Sequence, residues 1–217
     1  MKSVPFRSDA EIAAGIPHVV AHLEAGGLVA YPTETVYGLG SRIRQDEVEA
    51  LARLKGRRLD KPFLVLVSDR AMAEAQGLAF SAAAAALARA FWPGPLTLVL
   101  PGGGGRLPDI LRGPEGGIAV RWTSHAGMAR LVAALGEPLT STSANLPGAP
   151  PAPGADAIVR DFASAVRDGR LLVLDGGVLG NRPPSTVVDC TEAVPRLVRP
   201  GAVSVPELRR AAGTWAP

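Results

Sequence analysis

Three short polar segments carry the residues of this sequence that could do chemistry. They read PTETVYG (32–38), KGRRLDK (55–61) and TSTSAN (140–145), and each stands beside an apolar run. Hydroxyl and amide groups next to Lys and Arg suit anionic oxygens, because neutral donors orient a ligand and cations neutralise its charge. Loops at strand ends are where α/β proteins assemble their sites. We therefore expect a cavity for a phosphorylated or carboxylated ligand.

An arginine inside an apolar strand is the most informative single residue. Arg121 stands in GIAVRW (117–122), and strand alternation puts its side chain on the face shared with Ala119. A buried guanidinium is costly unless it meets a carboxylate or a phosphate. Two interpretations stay open: a bound ligand supplies that anion, or one of the 20 acidic residues forms a structural ion pair. The pairs Ser185–Thr186 and Arg196–Arg199 add hydroxyls and cations to the same set.

Lysine usage draws attention to the second segment. The chain has 20 arginines but only 3 lysines, and Lys55 and Lys61 both lie in KGRRLDK. One interpretation of two lysines so close together is that an ammonium group is needed there. The alternative is a solvated basic loop, since charge runs usually face water.

Several common catalytic devices are missing from the sequence. It contains no G-x-x-x-x-G-K-[ST] phosphate loop, no G-x-G-x-x-G dinucleotide motif and no G-x-S-x-G elbow. His18 and His22 stand four apart on an expected helix, but no third ligand or glutamate motif accompanies them. We assign no catalytic role to these two histidines, to His125 or to Cys190.

Strand-like and helix-like segments are interspersed along the chain, which predicts an α/β fold. Short apolar runs bounded by Gly or Pro predict strands at 27–31, 63–67, 96–100, 117–122, 138–143, 170–175, 185–189 and 195–200. Helices are expected at 46–54, 81–91, 125–135, 154–167 and 206–212, and an earlier one opens with a Ser8–Glu11 capping box and is interrupted at Pro17. Several connections are too short for crossover helices, so we expect a mixed sheet.

Composition sets the class of protein. The 217 residues are 47% apolar with a net charge of +3, which predicts one globular domain over 1–217, with the motif-bearing core at about 9–203. No apolar run approaches the roughly 20 residues of a membrane helix, and the N-terminus has no signal-peptide core. A single cysteine excludes a disulfide framework. We expect a cytoplasmic protein with no membrane partner.

Taken together, the motifs resemble the threonylcarbamoyl-AMP synthase family, the YrdC-like domain. The resemblance rests on P-T-[DE]-T-V-Y-G-L (32–39), K-x-R (Lys55, Arg57) and S-x-N (Ser143, Asn145), with WPGPLTLVL, STVVD and RPGAV following the family's order. It spans nearly the whole chain. It implies an open, twisted mixed sheet with flanking helices around a deep basic cavity.

The resemblance also implies a reaction. ATP, L-threonine and bicarbonate are joined into threonylcarbamoyl-adenylate, and pyrophosphate is released by this nucleotidyltransferase. The adenylate then supplies a downstream threonylcarbamoyl-transferase complex that modifies adenosine 37 of tRNA, with a direct tRNA contact left open. Mg²⁺ would be held mainly by the ATP phosphates and water, without a metal site built by the protein.

Residue roles follow from the resemblance position by position. ATP is expected to contact Lys55, Arg57, Lys61, Ser143, Asn145 and Arg199, threonine is expected to contact Thr33, Arg121, Ser141 and Ser185, and Lys55, Arg57, Ser143 and Asn145 form the expected catalytic set. Three positions depart from the family pattern. Leu66 stands where some members have a histidine against the threonine, and Arg58 and Lys61 stand where many have Pro and Asn.

A binding module is the alternative to an enzyme. A basic cavity and a sequence pI near 9.5 would suit double-stranded RNA or tRNA without any catalysis by the protein itself. Aromatic residues make up only 5%, however, and no aromatic and basic platform for stacking bases is visible.

Overall fold

The computed structural model describes residues 3–58, 61–180, 182–213 and 215. The helices are α1 (Asp9–Glu24), α2 (Gln45–Lys55), α3 (Arg70–Ala75), α4 (Ala82–Phe91), α5 (Ala126–Leu135), α6 (Ala155–Asp161), α7 (Ala163–Arg167) and α8 (Val205–Ala212). The strands are β1 (Val4–Pro5), β2 (Leu28–Tyr31), β3 (Gly38–Gly40), β4 (Leu64–Leu66), β5 (Leu96–Leu100), β6 (Ile118–Arg121), β7 (Leu139–Ser143), β8 (Leu171–Asp175), β9 (Thr186–Asp189) and β10 (Arg196–Arg199). Each strand expected from the apolar runs is confirmed, within a residue or two at its ends.

All of these strands belong to one open mixed sheet. Their order is β1-β8-β2-β3-β7-β4-β6-β5-β9-β10. Neighbours are parallel in the pairs β1–β8, β2–β8, β4–β6 and β5–β9 and antiparallel in the others. The expectation of a mixed sheet is therefore confirmed.

Helices cover both faces of the sheet, so each face has its own apolar layer. On one face, α1 and α5 contribute Val19, Leu23 and Leu131 to a buried cluster with residues of β2 and β7. On the other face, the remaining long helices pack on the central strands; Leu51 of α2 and Leu87 of α4 are fully buried there. Among the described residues, no helix combines the length and apolar character that a membrane crossing requires.

The central strand β7 brings two of the polar segments together. It pairs antiparallel with β3, so that Gly38 lies opposite Ser143, and with β4, so that Leu64 lies opposite Ser141. On the far side of β4, the parallel strand β6 places Arg121 opposite Leu66. Hydroxyl groups and the strand arginine thus converge on the middle of the sheet.

Strand β3 was not predicted, because its sequence, Gly-Leu-Gly, lacks strand-forming side chains. Its two glycines let the chain pass very close to its neighbours. A Cβ on Gly40 would lie 2.3 Å from the carbonyl oxygen of Thr140, and one on Gly38 would lie 2.7 Å from the ring of Tyr31. Close approach of the backbone, rather than side-chain pattern, defines this strand.

Two helix predictions were wrong. Helix α1 continues through Pro17, because Ile12, Val19 and Leu23 on both sides of the proline are buried on one face. The helix expected over 154–167 is two helices that meet at Phe162, whose ring turns into the core at 5% exposure. The Ser8–Glu11 capping box at the start of α1 is confirmed.

Candidate active site

A cavity of about 650 Å³ opens at the centre of the sheet. Its lining includes eight of the predicted site residues, namely Thr33, Arg57, Lys61, Arg121, Ser141, Ser143, Ser185 and Arg199. The described part of the lining carries only two carboxylates, Glu115 and Asp189. It carries five cations, which are Arg57, Lys61, Arg121, Arg196 and Arg199. The expectation of a basic cavity is therefore confirmed. Lys55 and Asn145, although predicted as site residues, are not part of this lining.

The first polar segment forms one wall and is held by its own hydroxyl groups. Thr33 Oγ1 donates to the carbonyl oxygen of Val36 at 2.7 Å and accepts from the amides of Thr35 and Val36, both at 3.2 Å. These bonds close a tight turn directly after β2. Leu39 of the segment lies in the core, whereas Val36 lines the cavity.

Arg121 lies in the wall with only 4% of its surface exposed. Its Nε donates to the carbonyl oxygen of Gly94 at 3.2 Å, and Nη1 donates to Thr35 Oγ1 at 3.1 Å. Nη2 lies 2.7 Å from Glu34 Oε1 as an ion pair, although outside hydrogen-bond geometry. Of the two interpretations of Arg121, the structural ion pair is therefore present, and the same guanidinium also faces the cavity.

Glu34 is the partner that sequence analysis missed, although it stands inside the PTETVYG segment. Its carboxylate accepts from the Thr123 hydroxyl and, at 3.2 Å, from the amide of Ser124. Burial alone would raise the pKa of Glu34, but the Arg121 charge and the Thr123 hydroxyl outweigh it and hold the pKa below its ordinary value. Glu34 is thus a carboxylate anion that already neutralises Arg121.

Ser185 and Arg199 meet on the opposite wall, where β9 begins. Arg199 Nη2 donates to the carbonyl oxygen of Ser185 at 2.7 Å and lies 3.3 Å from its hydroxyl. The Ser185 hydroxyl also lies 2.9 Å from Thr97 Oγ1. Burial lowers the pKa of Arg199, and the charge of Arg121 lowers it further. Two guanidinium groups that repel each other across a cavity favour an anion between them.

The second polar segment follows the last turn of α2. Arg57 Nε donates to the carbonyl oxygen of Lys61 at 3.0 Å, and Nη2 donates to that of Pro62 at 2.8 Å. Its guanidinium also stacks over the ring of Phe63, 5.0 Å from the centroid. Arg57 therefore shapes this loop and contributes to the cavity wall, while residues 59 and 60 of the segment lie outside the described residues.

Lys55 and the S-x-N turn form a separate network beside the cavity. Lys55 Nζ donates to the carbonyl oxygen of Ser143 at 2.8 Å and also to both carbonyl oxygens of Asn145. Burial and the neighbouring Arg57 charge lower the pKa of Lys55 to about 8. Two of the three predicted segments are thus tied together, 90 positions apart in the chain.

The outer end of the cavity combines apolar walls with an ion-pair cluster. Asp189 accepts from Arg196 Nη2 at 2.9 Å, and Glu115 lies 3.6 Å from the same atom. Neither carboxylate was predicted, because nothing in the local sequence marks it. The apolar lining at this end is supplied by residues of the sheet, which are Val99, Ala119, Val187 and Val198.

Leu66, which stands where some family members have a histidine, is a core residue in this structure. Its side chain is 1% exposed and belongs to the apolar cluster under α1 and α5 rather than to the cavity lining. His125 caps α5, where its Nδ1 accepts from the amide of Met128 at 3.3 Å. Within the described residues, no group of three or more His, Cys, Asp or Glu side chains is arranged to hold a metal ion.

Comparison with known proteins adds independent information. The Sua5_yciO_yrdC family, described as telomere recombination, matches residues 21–201. The chain is 34% identical over 192 residues to a threonylcarbamoyl-AMP synthase of Pyrococcus abyssi, covering 88% of this chain and 55% of that protein. It is 40% identical over 174 residues to the threonylcarbamoyl-AMP synthase of Thiobacillus denitrificans, covering 80% of this chain and 89% of that protein. The crystal structure of P. abyssi Sua5 complexed with L-threonine matches with a TM-score of 0.84 at 32% identity, over 98% of this chain and 61% of that one. The chain therefore spans little more than half the length of the P. abyssi relative.

Proposed function

Because this chain belongs to the Sua5/YciO/YrdC family, we propose that it is an enzyme that forms threonylcarbamoyl-AMP. Its substrates would be ATP, L-threonine and bicarbonate, and its second product pyrophosphate, which makes it a nucleotidyltransferase. One observation carries the proposal: five cations and several hydroxyl groups, brought together from distant parts of the chain, line a single cavity of suitable size. Relatives named threonylcarbamoyl-AMP synthase and a neighbour crystallised with L-threonine support it.

The lining divides naturally between the two larger substrates. The threonine carboxylate would lie between Arg121 and Ser185, and Ser141 and Thr33 of the lining would contact the rest of the amino acid. The phosphates would lie toward Arg57, Lys61 and Arg199, which are cations, and beside Ser143, whose hydroxyl hydrogen is donated to Asn145 Oδ1. The apolar outer end of the cavity would suit the flat face of a nucleotide base.

The chemistry needs positioning and charge neutralisation more than a protein base. Threonine's amine and bicarbonate give a carbamate with loss of water, and a carbamate oxygen then attacks the α-phosphorus in line as pyrophosphate leaves. Phosphoryl transfer of this kind depends on holding the two reactants in line and stabilising the charge on the phosphoryl oxygens. Arg57 and Arg199 would stabilise that charge, whereas Arg121 would hold the amino acid.

Mg²⁺ remains part of the proposal. The two carboxylates of the cavity wall do not form a metal cage, because Asp189 is already bonded to Arg196 and Thr191 and Glu115 is largely exposed. A Mg²⁺ ion that enters with ATP would take its ligands from phosphate oxygens and water, as this ion commonly does. It would neutralise phosphate charge that the arginines do not reach.

The product implies a consumer and a place of action. We propose that threonylcarbamoyl-AMP passes to a transferase complex that modifies adenosine 37 of tRNA, and that the enzyme works in the cytoplasm. A mixed anhydride of this kind is reactive toward amines, which suits transfer to the exocyclic amine of adenosine.

Pyrophosphate release from ATP tests the proposal. The assay is run with each of the twenty amino acids, with and without bicarbonate, and we expect release only with L-threonine and bicarbonate together. Release that is indifferent to threonine would refute the assignment. A salt titration of tRNA binding on the same preparation tests the binding-module alternative, which predicts tight, salt-sensitive binding without any pyrophosphate release.

A further inference from the structure

The ammonium group of Lys55 is fully occupied within the protein. Its three bonds go to the carbonyl oxygen of Ser143 and to the backbone and side-chain oxygens of Asn145. An ammonium has three N–H donors, so none is left for a ligand. Lys55 is only 6% exposed and is absent from the cavity lining, although its neighbour Arg57 is part of it.

The carboxamide of Asn145 is saturated in the same way. Its Oδ1 accepts from Lys55 Nζ and, at 2.6 Å, from the Ser143 hydroxyl. Its Nδ2 donates to the carbonyl oxygens of Leu146, at 3.1 Å, and Ala149. Two acceptor and two donor positions are thus all used, which also fixes which side of the amide faces Lys55.

The surrounding backbone shows what these bonds hold in place. The amide of Ala144 donates to the carbonyl oxygen of Tyr37 in the first polar segment, and the amide of Ala152 donates to that of Ala144, both at 2.8 Å. Gly56 follows α2 in the left-handed conformation, and a Cβ added to it would lie 3.2 Å from Cγ of Pro147. The end of α2 therefore packs directly on the turn that follows Ser143.

We propose that Lys55 and Asn145 are positioning residues, which clamp the turn at residues 143–152 so that Ser143 and Arg57 face the ligand. The resemblance assigned both residues to direct contact with the nucleotide. In the clamp, the Lys55 charge and the Asn145 amide hold the turn, and the phosphates meet the Arg57 guanidinium instead. The kinetic part of this inference rests on the proposed function, whereas the structural part does not.

Hydrogen exchange without any ligand tests the clamp directly. The wild type, Lys55→Met and Arg57→Met are compared by mass spectrometry over residues 143–152, which contain the hydrogen-bonded amides of Ala144 and Ala152. We expect exchange of these amides to rise by about tenfold or more in Lys55→Met and to stay at the wild-type rate in Arg57→Met. Arg57→Met is the matched control because it removes a cation two positions away that faces the cavity.

Salt dependence of ATP use supplies the second readout. Lys55→Met should lower kcat/KM for ATP by about ten- to a hundredfold while leaving its dependence on salt as in the wild type. Arg57→Met should flatten that dependence, because it removes a cation that meets phosphate charge. The double variant Lys55→Met with Asn145→Ala should have the same kcat/KM for ATP as the less active of the two single variants, since both substitutions open one clamp.

Unchanged exchange in Lys55→Met, together with a flattened salt dependence, would overturn the inference and place Lys55 on the phosphates. If Lys55→Met does not fold, Asn145→Ala carries the same exchange test, with faster exchange over 143–152 expected and wild-type exchange contradicting the clamp. A wild-type protein that releases no pyrophosphate would refute the proposed function, while the exchange result would still decide the clamp.

Discussion

Replacement of Arg121 probes both the proposed threonine contact and the ion pair that the structure reveals. Arg121→Ala deletes a side chain that is 5% exposed and leaves Glu34, at 15%, without its charge partner. Breaking a buried ion pair costs about 3–5 kcal/mol, and the groups that still bond Glu34 favour the lower end of that range. A loss of about 3 kcal/mol lowers the thermal midpoint of a chain of this length by roughly 6–12 °C.

The same substitution should weaken threonine use. A substrate carboxylate left without its cation in the cavity costs about 2–5 kcal/mol, which corresponds to a rise of about 30-fold or more in the KM for threonine. Arg121→Lys keeps the charge but loses the two parallel N–H groups that match a carboxylate, so the threonine KM also rises. The KM for ATP should be nearly unchanged in both variants, because the phosphates lie toward other cations.

A double variant separates stability from binding. Arg121→Ala combined with Glu34→Gln leaves no unpaired carboxylate, so the thermal midpoint should recover most of its loss while the threonine KM stays high. Pyrophosphate release as a function of both substrates gives the two KM values, and calorimetry on the same samples gives the midpoint. A wild-type threonine KM in Arg121→Ala would refute the contact. Recovery of the KM together with the midpoint in the double variant would show that Arg121 only stabilises the wall.

Three further outcomes are expected. Tyr37→Phe should lower the free energy of unfolding by about 1–2 kcal/mol in a denaturant titration. The Tyr37 hydroxyl donates to the carbonyl oxygen of Gly177 at 2.7 Å and accepts from the amide of Gly176 at 3.0 Å, and both bonds are lost. No change in the unfolding free energy would mean that water replaces both bonds. Lys55 has its pKa lowered from 10.5 to about 8, so between these pH values the unfolded chain binds the extra proton and stability from this residue rises with pH. The unfolding free energy of wild type minus that of Lys55→Met should therefore increase from pH 8 to pH 10, and a flat difference would contradict the lowered pKa. Chelation of Mg²⁺ should abolish pyrophosphate release without moving the thermal midpoint of the ATP-free protein, and a lower midpoint would reveal a metal held by the protein itself.

The sequence by itself predicted most of the helices and strands and eight of the residues that line the cavity. The apolar runs FLVLV and LTLVL contain β4 (Leu64–Leu66) and β5 (Leu96–Leu100), because burial of a short apolar strand is a local consequence of composition. The clusters of hydroxyls and cations predicted a site for an anion, because few other ligands can use so many donors. Strand alternation, a property of the chain alone, placed Arg121 on the same face as Ala119, and both residues line the cavity.

Only the tertiary structure decided which of these residues pair with each other. Arg121 bonds Thr35, 86 positions away, and Lys55 bonds Asn145, 90 positions away, and no local pattern encodes either partner. Such contacts depend on strand order and register, which are set by the packing of two apolar layers and by the close approach of Gly40 to Thr140. The same long-range packing carries α1 through Pro17 and holds Lys55 in hydrogen bonds to Ser143 and Asn145, because burial and hydrogen bonding of whole elements outweigh the local preference of single residues.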